Sequence, residues 1–161
     1  MQASVRRLKL ALTIVMMPAA AASGFAAASA SEVTGLWLDG SGRAGIEIVR
    51  CGTQLCGRIR WLREPQAADG RPKADVHNEN PALRSRPLCG VPMLEGFVPA
   101  GPDSWEDGRI YNPEDGATYH ATLRLQSDGT LRVRGYVGVP LFGKSQIWSR
   151  PATPLPACTV S

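Results

Sequence analysis

The residues best suited to chemistry are few and scattered. The chain holds two histidines and four cysteines among 161 residues. His77 stands in a polar cluster, Asp75-Val76-His77-Asn78-Glu79, whose oxygens and imidazole suit a metal ion by type. A calcium loop, however, needs a regular ladder of oxygen ligands. The plain reading is that Asp75 and Asn78 hydrogen-bond their own loop and cap a turn. His120 has no nucleophile and orienting acid near it in the pattern that would propose a triad. No Gly-x-Ser-x-Gly elbow, His-Glu-x-x-His helix or phosphate loop is present. Glu114 and Asp115 would suit a hydrolase with paired carboxylates, yet a Pro-Glu-Asp-Gly turn explains them without chemistry. No catalytic residue, metal site or cofactor is therefore assigned, and the chain reads as a binding or interaction protein rather than an enzyme.

The cysteines point to compartment more than to reactivity. Cys51 and Cys56 face each other across a short hairpin, GIEIVRC followed by LCGRIRW. In an exported protein such a pair is a disulfide candidate, and its C-x4-C spacing lacks the C-x-x-C of redox and zinc sites. Setting Cys51 opposite Cys56 aligns Ile48 with Ile59 and Ile46 with Trp61 on one face, and Glu47 with Arg60 on the other. Cys89 and Cys158 remain, and a second bond would pin the C-terminal tail to the body. Four cysteines allow three connectivities; the favoured one is Cys51–Cys56 with Cys89–Cys158.

The elements that position these residues are strands. Gln126-Ser127-Asp128-Gly129-Thr130 is a hairpin turn, with Gly129 where the backbone must turn left-handed. Pairing outward from it sets Leu125 with Leu131, Leu123 with Val133, Ala121 with Gly135 and Tyr119 with Val137. The opposite face then carries Arg124 with Arg132, Thr122 with Arg134 and His120 with Tyr136. One register sorts apolar from polar along the whole hairpin. Further strands are expected over Val33–Leu38, Gly45–Cys51, Leu55–Trp61, Cys89–Phe97 (interrupted by Pro92), Trp105–Tyr111 and Gly143–Arg150, with a turn at Pro99-Ala100-Gly101-Pro102. About eight short antiparallel strands fit a small closed barrel better than a sandwich, because closure removes the edges. The fold class is all-β, a single antiparallel barrel with one long irregular loop, Arg63 to Pro87, broken by four prolines.

Residues 1–30 read as a targeting segment. Arg6, Arg7 and Lys9 precede the apolar run Leu10–Met17, and small residues lead to Ala28-Ser29-Ala30. That is the pattern of a cleaved signal peptide, leaving a single domain over residues 31–161 whose last eleven residues (151–161) are an irregular tail. Without Arg6, Arg7 and Lys9 the formal charge of +4 falls to +1, or 15 basic against 14 acidic residues. A nucleic-acid partner is thereby disfavoured, and no membrane span is expected in the mature chain.

Gly108-Arg109-Ile110-Tyr111-Asn112-Pro113-Glu114-Asp115-Gly116, then Tyr119, Arg134-Gly135-Tyr136-Val137-Gly138, Trp148 and Arg150 resemble the bacterial domain of unknown function 2147. Gly35-Leu36-Trp37, the Cys51–Gly57 hairpin, Trp61-Leu62, Asp75 with Asn78, and Arg86-Pro87-Leu88 agree with it. The resemblance implies an exported, lipocalin-like (calycin-like) barrel, periplasmic rather than secreted to the medium, with no established activity. Cys89 and Cys158 lie outside the family pattern. The Gly35-x-Trp37 pair also resembles the G-x-W of lipocalins, in which Trp37 would close the barrel floor beneath Arg150 as a cation–π pair.

A barrel of about eight strands is wide enough for one small ligand. The expected inner face mixes Ile48, Ile59, Trp61, Tyr119, Leu123 and Val133 with the small residues Ala121, Gly135 and Gly57. Two readings follow. In the first the small residues leave an apolar pocket for a small ligand, with Arg84, Arg86, Tyr111, Asp115, Arg134 and Tyr136 as the polar residues to test. In the second the barrel is filled, and an envelope protein partner docks on the 63–87 loop, as for an inhibitor or assembly factor.

Overall fold

A computed structural model describes residues 32–158. The segment read as a signal peptide lies outside the described residues. Eight antiparallel strands follow one another in a meander: β1 (Gly35–Leu38), β2 (Ala44–Cys51), β3 (Gln54–Leu62), β4 (Pro92–Gly101), β5 (Ser104–Asn112), β6 (Ala117–Leu125), β7 (Leu131–Tyr136) and β8 (Lys144–Trp148). Each pairs with its neighbours in sequence. The first and last meet through one bridge, where Leu38 and Ser149 exchange N–H···O bonds of 2.8 and 3.1 Å. The result is a nearly closed barrel.

The β6–β7 hairpin has the expected register, with Leu125, Leu123 and Ala121 opposite Leu131, Val133 and Gly135. Its turn closes by Gln126 N–H to Thr130 O at 2.8 Å, with Gly129 at φ +80°. The β2–β3 hairpin is different. Cys51 lies opposite Gln54, not Cys56, because the connection is a two-residue Gly52-Thr53 turn. From Ile46 to Cys51 the register is slipped by two residues from the sequence expectation. A slip of two leaves every side chain on its own face, so the polar–apolar pattern is blind to it. Gly52, at φ +64°, is what permits the tighter turn. Glu47 consequently lies opposite Arg58, accepting at 3.2 and 3.3 Å, and keeps the expected ion pair with Arg60 as well, at 3.7 Å from Arg60 Nε. A bulge after Gly45 moves Trp61 opposite Gly45 rather than Ile46. Cys51–Cys56 and Cys89–Cys158 are nevertheless both bonded.

Pro92 begins β4 instead of interrupting it, as suits a residue with no N–H to give a ladder. The strand runs on through Pro99 to Gly101, so the expected four-residue turn contracts to Pro102-Asp103.

A meander sorts its connections between two ends. The 52–53, 102–103 and 126–130 turns lie at one end, with the chain entry before β1 and the exit after β8. The longer 39–43, 63–91, 113–116 and 137–143 connections lie at the other. The core fills the first end, where Trp37, Leu55, Phe97, Leu131 and Trp148 are each no more than 1% exposed. Gly108 is required there, since a Cβ would stand 2.3 Å from the Phe97 ring. The floor is closed by Arg150, whose Cζ lies 3.8 Å from the centre of the Trp37 ring. Its guanidinium donates to the carbonyls of Glu32, Thr34 (2.8 Å) and Leu36 (3.1 Å).

The long loop is tied down at one point. Asp75, fully buried, accepts the Tyr111 hydroxyl at 2.6 Å, Asn78 Nδ2 at 2.8 Å and Arg86 Nε at 2.9 Å. Burial, and then the hydrogen bond to Asp75, push the Tyr111 phenol above its ordinary pKa. Thus Asp75 and Asn78 do bond their own loop, and they also bind it to β5. Gly116 allows the crossing, because a Cβ there would lie 1.8 Å from the His77 carbonyl oxygen.

Two substitutions test these anchors. Trp37→Ala is expected to cost about 3–5 kcal/mol, as for a buried aromatic emptied from a core; an unchanged thermal melt would remove Trp37 from the floor. Asp75→Asn breaks a pair whose carboxylate is wholly buried, for a loss on the order of 3 kcal/mol. Trypsin should then cleave the loop after Lys73 or Arg84 well before the barrel is cut, and a loop as resistant as the parent's would contradict the tether.

Candidate functional site

The end opposite the floor is not filled. Above Ile59, Val133 and Trp148 the bore opens into a cavity of about 760 Å³, bounded by Ala44, Leu62, Leu88, Met93, Ile110, Tyr119, Gly135 and Phe142. The strands place these residues inward by simple alternation: Gly135, Val133 and Leu131 on β7, and Lys144, Gln146 and Trp148 opposite them on β8. Of the small inner-face residues expected to leave space, only Gly135 does so. Around Gly57 the room is taken by Leu94 and Ile46, 3.0 and 3.2 Å from where a Cβ would be. Ala121 is buried in the core. Trp61 packs over Gly45, outside the cavity.

The rim is charged, and its acids are largely occupied. Asp39 Oδ1 accepts the backbone N–H groups of Arg43 (2.8 Å) and Ala44 (2.9 Å), which shapes the 39–43 turn. Glu114 pairs with Arg43 across the mouth, and Glu64 pairs with Lys73 at 3.1 Å. Asp115 accepts from Asn112, Ala117 N–H and the Tyr119 hydroxyl, at 2.8 to 2.9 Å. Desolvation opposes ionisation of Asp115, but these three donors prevail and hold its carboxyl below the ordinary carboxylate range. Two rim cations are left over. Arg63 and Lys144 border the cavity, and among the described residues neither has a carboxylate within 4.0 Å. The mouth thus offers an apolar well topped by two unneutralised positive charges.

The residues singled out from sequence divide. Tyr111, Asp115 and Tyr136 border the cavity. Tyr111 is turned to Asp75 and Tyr136 is stacked on His120, ring centres 5.7 Å apart. Arg84 and Arg86 brace the long loop, through Asn78 O (2.7 Å) and Asp75, outside the bore. Arg134 points outward and holds the β7–β8 connection by Pro140 O (2.7 Å), Leu141 O (3.1 Å) and Ser145 Oγ (3.0 Å). Arg43, Arg63, Lys73 and Lys144 did not emerge from the sequence reading. One signal was there: counting back by twos from Trp148 puts Lys144 on the inward face of a strand, an unusual place for a lysine. Among the described residues, no three His, Cys, Asp or Glu side chains converge as a metal site would require.

Comparison with known proteins agrees with this architecture. A solved structure described as "Protein HP1028 from the human pathogen Helicobacter pylori belongs to the lipocalin family" is similar, with a TM-score of 0.63 at 25% identity. The match covers 75% of this chain and 84% of that one. No curated protein matches the sequence. The family model described as "Uncharacterized protein conserved in bacteria (DUF2147)" matches residues 35–150. That span takes in every strand from the Gly35-x-Trp37 floor to Arg150, and the chain therefore belongs to the DUF2147 family.

Proposed function

We propose that this protein is an exported, periplasmic barrel of the cell envelope that holds one small amphiphile. The cavity of about 760 Å³ carries this reading, being large enough for a small molecule with a hydrocarbon body. The two disulfides and the likeness to a lipocalin-family structure support it. The apolar body would lie on Ile59, Met93, Ile110 and Val133, and an anionic end would neutralise Arg63 and Lys144. An anionic end brought to an unpaired ammonium or guanidinium gains a charge-assisted hydrogen bond, stronger than a neutral one. The rival reading, a protein partner docking on the 63–87 loop, gains less support, since the loop is already tied to β5 through Asp75.

Mass spectrometry of the unreduced protein, native against denatured, should give a mass excess in the native spectrum that vanishes on denaturation. Filling the bore should abolish it: a Cβ at Gly135 meets nothing nearer than Ile110 Cγ2 at 3.5 Å, so Gly135→Leu is expected to fold and to exclude ligand. An empty parent protein that also fails to bind added dodecanoate would overturn the carrier reading. Dodecanoate is expected to bind about tenfold or more tightly than dodecanol, the scale of one hydrogen bond to a charged group. In Arg63→Gln with Lys144→Gln the two probes should bind alike; a preference that survives this double change would displace the anionic end from those cations.

A further inference from the structure

The outer face of β6–β8 and the connection above it carry two features that neither the fold nor the cavity explains. The first is apolar. Among the described residues seven large hydrophobic side chains are exposed, and five fall on one stretch: Val137 (72%), Val139 (53%), Leu141 (79%), Phe142 (79%) and Ile147 (51%). They do not dangle. Arg134 grips Pro140 O and Leu141 O, and the connection presses so close to β7 that a Cβ on Gly143 would meet Gly135 O at 2.6 Å. The Pro140 and Leu141 carbonyls are turned to the barrel, Val137 and Phe142 border the mouth, and Val139 and Leu141 stand exposed away from it.

The second feature is charge. From Gly116 to the C-terminus Asp128 is the only acid, against five cations, of which Arg124, Arg132 and Arg134 lie on the outer face. Arg124 and Arg132 stand directly opposite each other in the β6–β7 ladder, a destabilising arrangement for like charges. Neither forms an ion pair among the described residues. Ile147 lies opposite Arg132 on the next strand, so cations and apolar side chains share one continuous outer face.

Cations alone would suit any polyanion, and exposed hydrophobic side chains alone would suit a second copy of the chain. The two together match the interface of a bilayer, where hydrocarbon lies just beneath a layer of negative headgroups. We propose that the β7–β8 connection and the outer face of β6–β8 form a docking surface for a membrane that carries anionic phospholipid. The same connection contributes Val137 and Phe142 to the cavity rim, so a protein docked this way would hold its mouth beside the lipid.

The test is co-sedimentation of the purified protein with vesicles of phosphatidylglycerol mixed with phosphatidylcholine, against phosphatidylcholine alone. Two variants avoid every cavity residue: Val139→Ser with Leu141→Ser, and Arg124→Gln with Arg132→Gln. Each shares all other residues with the parent, so any contribution of the N-terminal apolar stretch cancels. The parent should sediment with the anionic vesicles, less so at high salt. Each variant should partition about tenfold or more weakly while melting at the parent's temperature, the scale set by two lost aliphatic insertions or two lost surface cations. Absence of binding to anionic vesicles overturns the proposal. So does loss in the arginine variant alone, which would mark a polyanion site. A parent dimer that the Val139/Leu141 variant makes monomeric would assign the surface to a second copy instead.

Discussion

The rest of the barrel depends on how Arg150 closes its floor. A meander pairs every strand with its neighbours except the two at the seam, and here the seam is a single bridge between Leu38 and Ser149. Arg150 joins its two sides by another route. It follows β8, reaches back over β1 and satisfies three carbonyls that no ladder partner serves, those of Glu32, Thr34 and Leu36. Beneath it lies Trp37, wholly buried, its own indole N–H bonded to Val33 O at 2.7 Å. Gly35 makes this possible twice over. Its φ of +102° suits few residues with a side chain, and a Cβ there would stand 2.9 Å from Arg150 Nη1. Gly-x-Trp at one terminus and Arg at the other are therefore a single device, separated by more than a hundred residues of chain.

Sealing the floor lets the two ends of the barrel serve different ends. Near the floor, turns of a few residues bring large side chains together, and Gly108 admits the Phe97 ring where any side chain would forbid it. Toward the mouth the connections lengthen, the inward residues shrink to Ala44 and Gly135, and charged side chains appear at inward positions. Stability is thus concentrated where the chain ends meet, and the open half is left to shape and charge. The treatment of carboxylates follows the same division. Asp75 is buried and answered by three neighbouring side chains, so it fixes the loop. Asp39 and Asp115 are spent on backbone N–H groups that shape the rim turns. What is left at the mouth is positive.

How much of this could be read from sequence depends on what breaks a degeneracy. The β6–β7 hairpin was legible because Ser-Asp-Gly fixes its turn and the alternation on both sides agrees with it. The β2–β3 hairpin has equally good alternation, yet two registers, two residues apart, sort its faces identically. Only the left-handed Gly52 chooses between them, and the attraction of setting Cys51 opposite Cys56 hid that choice. Cavity residues were harder for a related reason. Whether a small inward residue leaves space depends on what faces it across the barrel: Leu94 crowds Gly57 at 3.0 Å, whereas at Gly135 the nearest atom, Ile110 Cγ2, stands back at 3.5 Å. That is tertiary information with no periodicity.

The polar residues drawn from the family motifs teach a similar point. Arg84, Arg86 and Arg134 are not free to meet a ligand in the bore; each is held by carbonyls or by Asp75 in the connections. Long connections at a barrel mouth have many backbone groups and few strand partners, and an arginine with five donors in a fork can serve several at once. Motif residues clustered near such connections are therefore well explained as scaffolding. Lys144 and Arg63 carry no such duties. Their lack of a carboxylate partner, rather than any motif, sets them apart, and Arg124 and Arg132 on the outer wall likewise form no ion pair among the described residues, although Arg132 Nε donates to Ser145 Oγ at 3.3 Å. At a mouth whose acids are already engaged, Arg63 and Lys144 are the charges left to meet something outside the chain.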